Sequence, residues 1–249
     1  MPASNTHSNI SANPGVSPAA ALRGARQRAV ADVKRAHVLA AARTAFFELG
    51  LDGASMREIA RRAGYTPGAI YSYFTSKEDI YGALLGESLE RLNVSVAAAV
   101  APQGAVTDAR VPLVAAATAF FDFYRENPRD LDLGFYLFQG MRPRGLTPAL
   151  NEHLNARLRD ALAPAAHALL ALGFDAAAAQ AEITALFAHS VGLLVLSHTG
   201  RIRMFRQESR SLFGHYVDAL AARAPAIGRA NLQSAPRANR RASARQAAA

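Results

Sequence analysis

Residues 55–77 read SMREIARRAGYTPGAIYSYFTSK, and this stretch decides the fold of the N-terminal part of the chain. Ser55 can cap a first helix, and Glu58, three residues later, can complete a capping box. The apolar positions that follow give this helix one buried face. Gly64 suits the left-handed conformation that ends a helix. The first half of the stretch therefore predicts a short helix that closes at a glycine turn.

The second half of the stretch predicts another helix directly after the turn. Thr66 can cap it, and Pro67 stands at the first helical position, where a missing N–H costs nothing. This helix is expected to run to about Phe74, and Thr75 with Glu78 can form a second capping box that starts the next helix. Two helices joined by a short glycine turn make a helix-turn-helix, whose second helix can enter a DNA major groove.

The run GYTPGAIYSYFTSKEDI, residues 64–80, resembles the TetR family of bacterial one-component regulators, and the resemblance extends over about residues 38–92. The chain departs from the usual family pattern at three positions, Tyr65, Thr66 and Tyr73. The positions that carry the resemblance are Gly64, Gly68, Ile70, Tyr71, Phe74, Ser76, Lys77 and Glu78.

The resemblance implies a DNA-binding surface on the second helix and its flanks. Tyr71, Tyr73 and Lys77 would contact phosphates or sugars, while residues 66–69 and Ser72 would meet base edges. No Arg, Asn or Gln lies between Thr66 and Phe74, so strong bidentate base readout is missing from this helix. Specificity would then depend on thymine methyl groups, Arg57 and DNA shape. The full predicted set is Ser55, Arg57, Thr66, Pro67, Gly68, Ala69, Tyr71, Ser72, Tyr73 and Lys77.

Composition indicates an all-α protein. Hydrophobic residues make up 51% of the 249 residues, and strand-like alternation is scarce. The absence of cysteine excludes disulfides and thiolate metal sites. The predicted organisation has four parts: a disordered basic arm (1–27), a three-helix helix-turn-helix domain (28–92), a helical effector-binding and dimerisation domain (93–225) and a disordered basic tail (226–249).

The net charge of +9 is unevenly distributed along the chain. Residues 1–37 carry a net +4 and residues 223–249 a net +6, whereas residues 38–222 carry a net −1. The basic excess, usually a sign of nucleic-acid binding, therefore lies in the tails. Within the body, residues 55–77 hold four cations and one acid, which predicts a small positive patch on the helix-turn-helix. The tails either reach phosphates or are solvated segments that add solubility.

Aromatic residues crowd around one helix turn in the C-terminal part. They either line an apolar effector pocket, which the family resemblance favours, or form an ordinary helix-packing core. His189 stands on an otherwise apolar helix, where it is a satisfied buried histidine or a hydrogen-bonding group of the pocket. No metal-ligand spacing emerges, and neither a metal nor a cofactor is predicted. The predicted pocket residues are Phe120, Phe121, Tyr124, Phe135, Tyr136, Phe138, Met141 and His189.

The last two predicted helices, residues 178–196 and 204–222, are apolar on more than one face. The resemblance implies that they form a homodimer interface, and the alternative is an internal core. The longest apolar stretch, residues 183–197, is interrupted by His189 and is too short to span a bilayer, and the N-terminus has no secretory signal pattern. We therefore expect a cytoplasmic protein without a membrane partner.

These features predict a transcriptional regulator, a ligand-responsive repressor that binds a palindromic DNA operator as a homodimer and responds to a small apolar or amphipathic effector. Two other classes stay open. One is a basic, nucleoid-type DNA binder without effector control, which a filled C-terminal core would favour. The other is an enzyme fused to a DNA-binding unit, although the sequence offers no nucleophile–base pair, carboxylate pair or phosphate loop.

Overall fold

The structure, a computed structural model, describes residues 18–101, 108–135 and 146–234. These residues form two compact units that divide between Thr75 and Ser76. Within the described ranges every regular element is a helix, as the sequence predicts.

The first unit contains three helices: α1 (Pro18–Gly53), α2 (Met56–Ala63) and α3 (Pro67–Tyr71). Helix α1 begins ten residues before the predicted start at Arg28, so residues 18–27 are helical where the sequence predicted a disordered arm. The alanine, leucine and arginine of this segment have high intrinsic helix propensity, which favours a longer helix. Near its other end α1 bends at Gly50, whose φ of 74° only glycine adopts at little cost.

The core of the first unit comes from one face of each helix. On α1 the buried residues recur at helical spacing, on α2 they are Ile59 and Ala60, and α3 contributes Ile70, which is fully buried. This packing fixes the direction in which the opposite face of α3 points. The buried set on α1 is Val38, Leu39, Ala42, Ala45, Phe46 and, beyond the bend at Gly50, Leu51.

The second unit contains α4 (Lys77–Val100), α5 (Arg110–Glu126), α6 (Pro128–Phe135), α7 (Pro148–Ala171), α8 (Ala176–His198), a short 3-10 helix (Arg201–Phe205) and α9 (Ser209–Ser234). Helix α7 continues through Pro164, although a proline inside a helix usually kinks or breaks it, because the residues around this position are buried and offset one lost hydrogen bond. Helix α9 begins at Ser209 rather than at the predicted residue 204.

The predicted domain boundary after Leu92 falls inside α4, which is one continuous helix of 24 residues. Its apolar residues, among them Leu84, Leu85 and Leu89, are buried where α4 packs against α5 and α7. Gly82 permits a very close approach to α7, because a Cβ at this position would lie 2.6 Å from Cδ2 of Leu150. Helix α4 therefore belongs as a whole to the second unit.

Helix α8 has the length and composition of a membrane-spanning helix, which corrects the prediction from the shorter stretch 183–197. Its most apolar part is one-third buried inside the protein, against α5, α7 and α9. Core helices of soluble proteins satisfy the same criteria, so this property alone does not place α8 in a bilayer.

Candidate functional site

Helix α2 begins and ends at the residues that the sequence predicts. Ser55 Oγ accepts a hydrogen bond from the backbone N–H of Glu58 at 3.1 Å and caps α2. At the other end Gly64 adopts φ 73°, and the N–H of Tyr65 donates to the Ala60 carbonyl at 2.9 Å. This is the bonding pattern of a Schellman C-cap, and it fixes the direction in which the chain enters α3.

The capping box at the start of α2 is only half formed, because the Glu58 side chain binds elsewhere. Its carboxylate accepts hydrogen bonds from Arg61 at 2.7 Å and from Arg62 at 2.6 Å. Arg62 also donates to Glu48 of α1 at 2.7 Å. The two guanidinium groups lower the pKa of Glu58 to about 2. The capping-box hydrogen bond from the Ser55 N–H to the Glu58 carboxylate is thus replaced by a network of ion pairs that links α2 to α1.

This network changes the predicted positive patch. Arg61 and Arg62 are both ion-paired, so only part of their charge is available to an external anion. Arg57 is exposed and makes no ion pair with any residue in the described ranges. In the first unit Arg57 is therefore the cation of residues 55–75 that is most available to a phosphate.

Helix α3 is held in place by its cap and its buried face. Thr66 Oγ1 accepts from the Ala69 N–H at 3.3 Å, and Pro67 occupies the first turn. The helix ends at Tyr71, earlier than the predicted Phe74, and Phe74 is nevertheless 99% buried, with the Arg35 guanidinium 4.7 Å from its ring centroid. Arg35, one of the basic residues of segment 1–37, thus packs in the first unit.

The opposite face of α3 is open to solvent. Thr66, Pro67, Gly68 and Ser72 are exposed, and Tyr71 is 55% exposed although it is a large aromatic residue. Ala69 and Tyr73 are partly exposed. All of these residues belong to the set that the sequence predicts for DNA contact, and Ser55 and Arg57 of the same unit are exposed as well.

Gly68 is notable because nothing inside the protein requires a glycine there. A Cβ at this position would have no atom within 4 Å, and the backbone does not adopt a positive φ. The fold therefore tolerates alanine at residue 68. A missing side chain on the outer surface is useful where an external molecule approaches the backbone closely.

The polar groups of this face can make few direct base contacts. Thr66 Oγ1 accepts from the backbone, so its proton is left to donate, and Ser72 Oγ donates to the Ala69 carbonyl at 2.7 Å, so its lone pairs are left to accept. The methyl groups of Thr66 and Ala69 can contact a thymine methyl. Besides the hydroxyls of Tyr71 and Tyr73, the face thus offers one donor, one acceptor and two methyl groups, which is weaker base readout than an Arg or Asn side chain provides.

Lys77 is the first residue of α4 and belongs to the second unit. The cap of α4 is Ser76, whose Oγ accepts from the Asp79 N–H at 3.1 Å, rather than the predicted Thr75. A cation at a helix N-terminus is unfavourable, which is consistent with an anionic partner for Lys77. Its contact with DNA stays a prediction.

The second unit contains a cavity of about 260 Å³ between α4, α5, α6 and α7. Leu85 and Leu89 of α4 form one wall, and Tyr124 and Phe135 of α5 and α6 form another. The remaining lining comes from Gly134, Leu146, Asn151, Leu154, Asn155 and Leu158. The α4 and α7 residues were not predicted, although the 151–155–158 spacing on one face of a helix was visible in the sequence.

Apart from His189, the predicted pocket residues divide into three groups. Tyr124 and Phe135 line the cavity, and their rings lie 5.6 Å apart. Phe120 and Phe121 are buried in the helix core, where Phe121 stacks on Phe213 at 4.3 Å. Tyr136, Phe138 and Met141 lie outside the described residues.

His189 packs away from the residues that line this cavity. Its ring stacks on Tyr216 of α9 at 4.3 Å, and its Nε2 atom is buried without a hydrogen-bond partner in the described structure. Burial lowers the pKa of His189, so the ring is neutral at physiological pH. Across the described ranges no group of three His, Asp or Glu side chains is placed to hold a metal ion.

In the described residues, two short helices joined by a glycine turn, the second capped by Thr66 and exposed on one face, define the class of helix-turn-helix proteins. Residues 38–84 match the sequence family described as bacterial regulatory proteins, tetR family. The chain is 36% identical over 104 residues to the HTH-type transcriptional activator FasR of Mycolicibacterium smegmatis, and the aligned region covers 42% of this chain and 46% of FasR. It is 40% identical over 63 residues to the HTH-type transcriptional repressor BepR of Brucella suis, and that aligned region covers 25% of this chain and 30% of BepR.

The fold agrees with these matches over a longer range. A bacterial regulatory protein of the tetR family from Rhodococcus RHA1 superposes with a TM-score of 0.59 at 23% identity, covering 77% of this chain and 96% of that structure. Residues 38–84 thus carry the sequence pattern of the TetR family, and the fold of the chain resembles that of a TetR-family structure. In sequence the chain spans less than half the length of the two curated relatives that it matches.

Proposed function

We propose that this protein is a transcriptional regulator that binds an inverted-repeat DNA operator as a homodimer. The observation that carries the proposal is the outer face of α3, where Tyr71 is 55% exposed and Gly68 leaves open space. Tyr71, Tyr73 and Lys77 would hold the phosphates, and Thr66 to Ala69 with Ser72 would meet the base edges. Ser55 and Arg57 would bind the adjacent backbone.

The homodimer is supported by the outer face of α8. Its exposed positions Ala181, Thr184, Ala185, Ala188 and Gly192 are small and uncharged. The single charged residue of α8, Glu182, is paired with Arg223 of α9 at 2.8 Å. A long uncharged face of small side chains permits close helix–helix packing, and a second copy related by a two-fold axis would cover it.

Ligand response is supported by the position of the cavity. Leu85 and Leu89 of α4 line it, and α4 begins directly after the first unit in sequence. A ligand that contacts α4 differently in two dimer conformations would change DNA affinity, and DNA would change ligand affinity by the same factor. The cavity also favours this function over a nucleoid-type binder with a filled core.

Repression is the direction of regulation that we propose. The two relatives carry opposite names, activator for FasR and repressor for BepR. Repression needs only that a dimer occupies promoter DNA, which the two units described here could do together.

An enzymatic role has less support. Among the described residues the pKa is lowered for two carboxylates, Glu58 and Glu208, and capping and ion pairs account for both shifts. A DNA-bound dimer without a bilayer partner is expected in the cytoplasm.

The DNA-binding proposal is tested by selecting ligands from a pool of randomised DNA duplexes and then titrating the enriched sequence in a gel shift. We expect an inverted repeat to be enriched. Tyr71→Ala should raise its Kd about tenfold, equivalent to roughly 1.4 kcal/mol, with unchanged thermal stability because the ring is exposed. Phe205→Ala, at a residue 62% exposed in the second unit, is the matched control and should bind like the wild type. Equal affinity of both variants would contradict the proposal.

A further inference from the structure

The cavity of the second unit has no charged side chain among the described residues that line it. Its walls are Leu, Phe and Gly together with Tyr124, Asn151 and Asn155. The nearby Asp130 is 95% buried, and its negative charge is neutralised by Arg91, whose Nη2 lies 2.5 Å from Oδ1 of Asp130. An ionised ligand would therefore lose its hydration without gaining an opposite charge, which is costly in a buried site.

The hydroxyl of Tyr124 is a hydrogen-bond donor without a partner. The side chain is 99% buried, and its hydroxyl makes no hydrogen bond with any residue in the described part of the chain. Gly134, across the cavity wall, leaves the hydroxyl uncovered, since a Cβ there would be 3.9 Å from it. Burial and the nearby Asp130 raise the pKa of Tyr124, so the group keeps its proton. A ligand carbonyl in the cavity can accept the hydrogen bond that this hydroxyl offers.

Two amides provide further polar groups at the same cavity. Asn151 and Asn155 are four residues apart on α7 and therefore lie on the same face of the helix. Neither side-chain amide is hydrogen-bonded to a residue that the structure describes. Each carries both a donor and an acceptor and can bind a neutral polar group without a charge.

The size of the cavity limits the ligand as well. At about 260 Å³ it is slightly smaller than the roughly 300–1,000 Å³ pockets that hold drug-sized molecules. We propose that the cavity binds a small uncharged molecule with an apolar body and one carbonyl-type acceptor. This acceptor would receive hydrogen bonds from the Tyr124 hydroxyl and from the side-chain amide of Asn151 or Asn155. This inference rests on the proposed ligand response and names the chemical class of the ligand.

The test compares three probes of equal chain length that differ in charge: 2-heptanone, heptanoate and heptylamine. Their binding to the full-length protein is measured by isothermal titration calorimetry at neutral pH, in the absence of DNA. We expect the ketone to bind more tightly than either charged probe. Tyr124→Phe, which removes only the hydroxyl, should weaken ketone binding about five- to tenfold. Tyr216→Phe, at a half-buried tyrosine outside the cavity lining, should not change it.

Three results would overturn the inference: tighter binding of heptanoate or heptylamine than of 2-heptanone, no binding of the ketone, or equal ketone affinity in Tyr124→Phe and the wild type. Because the assay contains no DNA, its outcome is separate from that of the operator titration. Ketone binding that leaves operator affinity unchanged would support the site and contradict the proposed ligand response.

Discussion

At the scale of single residues, Glu58 controls the charge of the candidate DNA surface. Its carboxylate binds both Arg61 and Arg62, two of the four cations that residues 55–77 contain. Arg61 is largely exposed and Glu58 and Arg62 are partly exposed, so salt screens these ion pairs and their contribution to stability is modest. Their main effect is to occupy both guanidinium groups, with Arg62 also bound to Glu48 of α1, so that less of their charge is available to an external phosphate.

The pKa of Glu58 gives a pH prediction. Because it is lowered to about 2 in the folded protein, the ion pairs stabilise the fold fully above the ordinary glutamate pKa near 4.5. This stabilisation declines as the pH falls from 4.5 and is lost as it passes through about 2. Denaturant unfolding of the wild type and Glu58→Gln should therefore differ at pH 6 and converge near pH 2. A difference that does not depend on pH would show that the carboxylate charge is not involved.

Gly68 gives a second prediction at this scale. Gly68→Ala should keep or raise the free energy of unfolding, by up to about 1 kcal/mol, because alanine favours the helix and its Cβ meets no atom within 4 Å. The same methyl group should weaken operator binding if DNA approaches the α3 backbone. Gly86→Ala in α4, also in open space, is the matched control and should leave DNA affinity unchanged. Unchanged operator affinity in Gly68→Ala would place DNA away from this part of α3.

At the scale of secondary-structure elements, the contact of α4 with α7 joins the cavity to the rest of the second unit. Arg157 of α7 donates to the Gly86 carbonyl at 3.2 Å, and Asn93 of α4 donates to the Arg157 carbonyl at 3.0 Å. Between the two helices Gly82 makes room for Leu150. A shift of α7 relative to α4 would disturb these contacts together, so the two helices are expected to move as one body.

The Gly82–Leu150 contact can be tested with a double-mutant cycle. Gly82→Ala places a Cβ 2.6 Å from the terminal carbon of Leu150, so we expect a net loss of about 1–2 kcal/mol in the free energy of unfolding even though alanine favours the helix. Adding Leu150→Ala removes the clash, and the double variant should lose less stability than the sum of the single variants. If urea denaturation shows that the two stability losses are strictly additive, the helices accommodate the added methyl group by separating at no cost.

The sequence predicted the elements best where local chemistry decides them. Ser55, Gly64, Thr66 and Pro67 act through their own backbone neighbours, and the structure confirms each as a cap or a first-turn residue. Features that depend on tertiary contacts were missed. The Glu58 side chain could bond a backbone N–H or two arginines, and in the fold it bonds the arginines. Pro164 lies in a helix that packing maintains. The α7 wall of the cavity was missed because its residues meet α4 only in the folded chain.

At the scale of the whole molecule, the proposed dimer depends on the exposed face of α8. Glu182 and His189 are turned toward α9, which leaves this face without charge. A face of this kind, on a helix apolar enough to resemble a membrane span, is costly to leave in water. Covering it with a second copy of α8 explains both its small residues and its lack of charge.

Ala188→Arg tests this assembly. Ala188 is exposed in the middle of α8, so arginine there should leave the monomer folded but put a charge into the interface. We expect analytical ultracentrifugation to show a dimer for the wild type and a monomer for the variant, with loss of inverted-repeat binding. Ala171→Arg, at an exposed position at the end of α7, should remain dimeric. A monomeric wild type, or a dimeric Ala188→Arg, would contradict the proposed interface.

The ion pairs of Arg61 and Arg62 also affect how the protein would be distributed over a chromosome. Phosphate attraction is the same at every site, and a genome offers about 10⁶–10⁹ competing sites for each operator. Two arginines held by carboxylates reduce this unspecific attraction and so leave more protein for the operator. Releasing them by Glu58→Gln would therefore move protein onto bulk DNA, and operator occupancy in a cell would fall even where affinity for the isolated operator rises.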